Sequence, residues 1–193
     1  MYNLEIFTKR KFPYKKFPNV KQVSKNTYVL SGLSLEEAKK TRRYFLFRFM
    51  KAYFYDDKWA RDTTYRKQLI NHETPEQLIC VYCGKMLPKD QITVDHIIPI
   101  NIAKRSRIIQ LFLECKGYSG INDKRNLVPA CWNCNEEKED HWNLRIAAQA
   151  RLGKYKWYWY IKKTMRIIVV AIIIMILVYG LIKMGQILAR FVR

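Results

Sequence analysis

Two C-x-x-C pairs, Cys80-Val81-Tyr82-Cys83 and Cys131-Trp132-Asn133-Cys134, restrict what this chain can fold into more than any other feature. Two residues between thiolates let a tight knuckle aim both sulfurs at one ion, so the pairs read as a single tetrahedral zinc site. Gly84 directly follows the first pair and can take the positive φ that such a knuckle tends to need. The stretch is short for a self-sufficient core, and bound zinc is expected to contribute much of its folding energy. The fifth cysteine, Cys115, sits among Leu111, Phe112 and Leu113 and is expected to be a small buried hydrophobe. No disulfide framework is implied. A four-cysteine site by itself describes a structural or binding module better than an enzyme.

Between the knuckles lies a second constellation that zinc does not explain. Ile92-Thr93-Val94 is a β-branched run that reads as a short strand, and Pro99 ends regular pairing. Asp95 and His96 are thereby held side by side at a strand end. These residues resemble the HNH nucleases, in the variant whose last motif position is Asn. The matching pieces are Cys80-x-x-Cys83, Val94-Asp95-His96-Ile97-Ile98-Pro99, Asn126-Leu127-Val128-Pro129-Ala130-Cys131-x-x-Cys134-Asn135 and Lys138, over roughly residues 76 to 145. The resemblance implies an α+β chain built on a ββα-metal fold. By it His96 is the general base, Asp95 and Asn135 bind a catalytic divalent ion, Asn126 orients the His96 ring, and the cysteines hold structural zinc. Phosphodiester hydrolysis suits these residue types: imidazole has the unperturbed pKa nearest neutrality, and hard oxygen ligands with open positions favour Mg²⁺ or Mn²⁺.

Charge bears on the partner. Thirty-six basic against sixteen acidic residues give a net +20, which argues for a polyanion: DNA fits the nuclease motifs, and anionic lipid competes for part of the charge. Lys104, Arg105, Arg107, Lys124, Arg125 and Lys138 are the candidate nucleic-acid contacts. Residues 1–33 read as a basic aromatic arm whose prolines disfavour helix. Residues 34–75 read as a helical extension: Ser34 to Glu37 form a capping box, so one helix is expected from Leu35 to about Tyr55 and a second from about Lys58 to Asn71. The nuclease domain is placed at 76–153. Within it, helices are expected over Asn101–Lys116 and from Asn135 to about Leu152.

Residues 154–193 form a juxtamembrane segment and tail. Ile167 to Ile182 carry no charge, and Trp157, Tyr158, Trp159 and Tyr160 precede them like an interfacial aromatic belt. Sixteen residues of helix reach only about 24 Å, but a snorkelling Lys183 and apolar Met184 to Leu188 extend the span. Five cations precede the apolar run and Lys183, Arg190 and Arg193 lie at or after its end, a bias that keeps the nuclease cytoplasmic. The expectation is therefore a single-pass, membrane-anchored, metal-dependent HNH endonuclease acting on DNA. The competing one is a non-catalytic zinc module that tethers nucleic acid to a membrane, and a buried or self-associating helix is the alternative for the tail.

Overall fold

The computed structural model describes the backbone of residues 1–191 and the side chains of residues 1–188. The basic N-terminal segment is no arm: it builds a sheet. β1 (Tyr2–Phe7) lies between β3 (Thr27–Leu33) and β4 (Lys51–Asp56), with β2 (Lys21–Ser24) outside β3, all antiparallel to their neighbours. Leu4 and Ile6 on β1 are fully buried with Leu30, Phe45, Met50 and Ala52. Phe12, flanked by lysines and Pro13, joins that core by stacking on Tyr28 at 4.4 Å and Phe45 at 5.5 Å. Its apolar neighbours are spaced irregularly in the sequence, so no period marks the segment as buried.

Ser34 does cap α1 (Leu35–Leu46), and the reciprocal Glu37 contact is made. The helix stops well short of Tyr55. Phe49 takes φ 57°, Met50 donates back to the Phe45 carbonyl at 3.0 Å, and the aromatic run Tyr53-Phe54-Tyr55 pairs as β4 along the whole of β1. Strand-forming aromatics and an available edge outweigh the local helical reading. The expected second helix is reduced to a 3₁₀ turn at Asp57–Trp59 and the short α2 (Tyr65–Leu69).

The remainder carries the ββα unit. β5 (Gln77–Ile79) and β6 (Met86–Pro88) form a hairpin around the first knuckle, and β7 (Thr93–His96) pairs with β8 (Leu127–Ala130). Between β7 and β8 stand α3 (Ile100–Arg105) and α4 (Arg107–Cys115), separated at Ser106, whose hydroxyl accepts from the Ile109 amide and restarts the helix. Leu113 and Ile121 from this insertion pack against Tyr55 and Trp59, which joins the sheet to the nuclease unit. Cys115 is exposed at the end of α4, not buried, because Leu113 faces inward there.

α5 (Trp132–Lys138) follows the second knuckle and does not continue to Leu152. Glu139 takes φ 44°, and Asn143 caps a separate α6 (Leu144–Leu152) by accepting from the Ile146 amide at 2.9 Å. α7 (Lys156–Phe191) is one helix. Over Lys156–Leu188 α7 carries an apolar window of mean hydropathy 2.9, none of which is buried, so it is a candidate membrane span. The side chains of Arg190 and Arg193 lie outside the described residues.

Candidate active site and zinc centre

The four cysteine sulfurs lie within 4.8 Å of one another. Cys83 Sγ and Cys131 Sγ are 3.9 Å apart, close to the roughly 3.8 Å edge of a tetrahedron with Zn–S bonds of about 2.3 Å. The knuckle forms as its sequence requires: Gly84 takes φ 80° and donates to the Cys80 carbonyl at 2.8 Å. Burial, then the neighbouring thiols, push the Cys134 thiol up, an unfavourable crowding that a divalent cation relieves. The donor set therefore fits zinc. Among the described residues these cysteines form the one such group of metal-ligating side chains.

β7 delivers Asp95 and His96 to the floor of a cavity of about 460 Å³, and α5 places Asn135 on the same cavity. Pairing of Asp95 with Val128 and His96 with Leu127 fixes their direction. Both are buried, at 8% and 4% exposure. Asp95 is held from two sides: the Tyr82 hydroxyl donates to Oδ2 at 2.6 Å, and the Lys138 ammonium lies 3.0 Å from the same oxygen. Burial, then the Asp95 charge, push the Tyr82 phenol up, so it stays a proton donor to that carboxylate.

The His96 ring is oriented by Asn122, not by Asn126. His96 Nε2 lies 3.1 Å from Asn122 Oδ1, while Asn122 Nδ2 donates to the Ala60 carbonyl at 2.8 Å. A carbonyl can only accept, so the amide nitrogen must face Ala60 and the amide oxygen must face the ring. The ring nitrogen there is then the protonated one, and Nδ1 keeps the lone pair. Tyr65 covers the ring, 5.0 Å between centroids. Burial pushes the His96 imidazole down, against the smaller opposing effects of Asn122 and Asp95.

Asn126, only 1% exposed, has a different task. Its amide accepts from the Ile98 amide at 2.9 Å and donates to the carbonyls of Ile98 at 3.2 Å and Ile121 at 2.8 Å. It thus clamps the chain just beyond His96 to the end of the insertion.

The candidate nucleic-acid contacts separate in space. Lys104 lines the cavity, whereas Lys124 is exposed and does not line it. Arg105 and Arg107 face a neighbouring groove. Arg125 grips Asp123 at 2.7 Å and the carbonyls of Lys116 and Gly117, which ties it to its own loop. Lys138 is no surface phosphate contact: at 6% exposure its ammonium is committed to Asp95 and, at 2.9 Å, to the His96 carbonyl. Sequence reasoning missed Asn122, Tyr65, Tyr82 and Arg61, the last a cation on the cavity wall. Of these only Tyr82, inside the first knuckle, had a position that pointed to the site.

A β-hairpin followed by a helix, with an acid and a buried imidazole at the strand end and a four-thiol centre behind, defines a metal-supported nuclease-type or nucleic-acid-binding domain. Residues 80–141 match the family model described as HNH endonuclease, which makes this part of the chain an HNH domain, in a form that fits zinc binding. The match covers about a third of the chain, and no curated protein or solved structure matches it.

Proposed function

We propose that the chain is an endonuclease that hydrolyses DNA phosphodiester bonds at the cavity holding His96, and that α7 anchors it in a membrane. The observation that carries the proposal is the buried His96 ring, fixed through Nε2 by Asn122, next to Asp95 in an open cleft. His96 Nδ1 takes a proton from water, the water oxygen attacks phosphorus, and the bond to the leaving sugar oxygen breaks, that oxygen taking a proton from solvent to leave as a hydroxyl. Asp95 and the Asn135 amide oxygen would hold Mg²⁺ or Mn²⁺, which when bound supplies charge compensation on the phosphate and the leaving oxygen. Lys138 and Tyr82 keep Asp95 in place, and Asn126 keeps the loop beyond His96 in place. Cys80, Cys83, Cys131 and Cys134 would hold structural zinc, which when bound would tie the hairpin to α5.

One contact favours a second reading. Lys138 already sets a cation against Asp95, as a zinc module that merely tethers nucleic acid to a membrane would tolerate. Supercoiled plasmid separates the two readings. The full chain in detergent micelles is expected to nick or linearise it with Mg²⁺ or Mn²⁺, and to stop on brief chelation that leaves zinc bound. DNA binding without strand breaks identifies the tethering module. The anchoring reading rests on the exposed apolar stretch of α7 with its preceding cations. It predicts that protease added outside sealed cells leaves the nuclease domain intact, and digestion of that domain from outside reverses the orientation.

A further inference from the structure

The cleft that holds His96 is poorly charged for a polyanion. Its walls carry Asp95, Glu136, Glu139 and Asp140 against Arg61 and Lys104. Affinity for a phosphate backbone has to come from elsewhere on the +20 chain, and the position of Lys104 indicates where. Lys104 also lines a second cavity, about 550 Å³, between the N-terminal sheet and α3 and α4. There the charge reverses: Arg42, Lys58, Lys104, Arg105 and Arg107 face two acids, Asp56 and Glu114, and although Glu114 pairs with Lys58 at 2.9 Å and Arg107 at 3.5 Å, and Glu5 with Arg105 at 3.9 Å, the cations stay in excess.

Four of these five cations are laid on aromatic rings. The Lys104 ammonium is 4.7 Å from the Tyr55 ring centre, the Arg42 guanidinium 5.8 Å from Phe54, and the Lys58 ammonium 5.4 Å from Trp59. Arg105 lies 4.6 Å from Phe7 and 6.0 Å from Tyr53. Such contacts hold long side chains in place without cancelling their charge. Tyr2, Tyr53 and Phe54 are half-buried on the same wall, so each keeps part of its surface open. Cations alternating with partly open rings suit a single strand, whose phosphates need charge and whose unpaired bases need a stacking face. A duplex keeps its bases paired and would use only the cations.

We infer that this groove takes the unpaired nucleic-acid strand that continues from the phosphate in the His96 cleft, with Lys104 as the junction. The inference rests on the nuclease reading for its direction, since it runs the strand outward from that cleft. The substrate class it favours is DNA with a single-stranded flank, such as an overhang or a fork.

The test is anisotropy with the full chain in micelles, on a His96→Ala background so that the probe survives. The probes are a blunt DNA hairpin and the same hairpin with a single-stranded extension. The extended probe is expected to bind more tightly. Arg42→Gln with Arg107→Gln is expected to lower its salt slope by about 1.4 and its affinity roughly 25-fold at 0.1 M salt, with little effect on the blunt probe. Tyr53→Leu is expected to weaken only the extended probe and to leave the slope unchanged. Zinc content of one per chain certifies each variant as folded. Equal losses on both probes, or no preference for the extension, overturn the inference. Strand scission by the unmutated chain is scored in parallel. Scission without the preference overturns the groove alone, whereas the preference without scission overturns the nuclease reading and keeps the groove as a nucleic-acid site.

Discussion

Replacing Lys138 with methionine removes the ammonium but keeps most of the stem volume. In the native chain that ammonium is 3.0 Å from Asp95 Oδ2, 3.3 Å from Oδ1 and 2.9 Å from the His96 carbonyl, in a site with little solvent access. Without it Asp95 keeps a single side-chain donor, the Tyr82 hydroxyl. Breaking a buried pair by removing one partner strands the other charge and costs about 3–5 kcal/mol. With a urea m-value of about 2 kcal/mol/M, the midpoint should fall by about 1.5–2.5 M. The assay is urea unfolding of the zinc-loaded full chain in micelles, followed by zinc release to a colorimetric chelator. Asp95→Asn added to Lys138→Met should recover about half of the loss, because a neutral amide needs no counter-charge. A loss below about 1 kcal/mol for the single variant, as for an exposed pair, would refute the claim that this ion pair is desolvated.

Asn126→Ala removes three buried hydrogen bonds and should cost at least about 3 kcal/mol in the same unfolding assay. Cys131→Ser should abolish zinc retention and hydrogen-exchange protection across β7 and β8, and a variant that keeps both sinks the zinc assignment. A Cβ on Gly153 would collide with the Val81 carbonyl oxygen, so Gly153→Ala should cost about 1–3 kcal/mol and loosen the first knuckle, read as faster zinc loss. Burial holds the His96 pKa below its unfolded value, so its neutral form stabilises the fold above the ordinary imidazole range. That contribution is lost as pH falls through that range toward the folded value, and the acid limb of cleavage should lie below about pH 6.5. An acid limb centred at or above pH 7 would contradict the burial of the ring.

The zinc centre was legible in the sequence because each knuckle is a local object, two thiols two residues apart, the first closed by Gly84, whose geometry depends on almost nothing else. The placement of Asp95, His96 and Asn135 on one cavity was legible for a similar reason: each sits in a short motif, Asp95 and His96 closing β7 and Asn135 directly following the second knuckle. Asn122 was not. It is defined by where its amide points, and half of that geometry comes from a backbone carbonyl at Ala60, which any residue type could supply. The N-terminal sheet was also hidden, since Phe12 becomes core by stacking across a loop and β4 becomes a strand through the free edge of β1. Lys138 read as a motif residue and a nucleic-acid contact, and only the fold shows its ammonium buried against Asp95 and the His96 carbonyl. The contact of α7 with the knuckle was equally invisible. Trp159 lies over Gly84 and donates to the Gly153 carbonyl at 2.7 Å, so removing the tail would uncover the zinc centre.

For that reason the decisive measurement uses the whole chain. Plasmid cleavage in Mg²⁺ is compared between the unmutated protein and His96→Ala, at equal zinc content and with DNA binding measured on the same samples. Cleavage lost in the variant while zinc and binding stay near normal is the result predicted for a base at His96. Equal cleavage by both proteins would place the chemistry elsewhere and contradict the account.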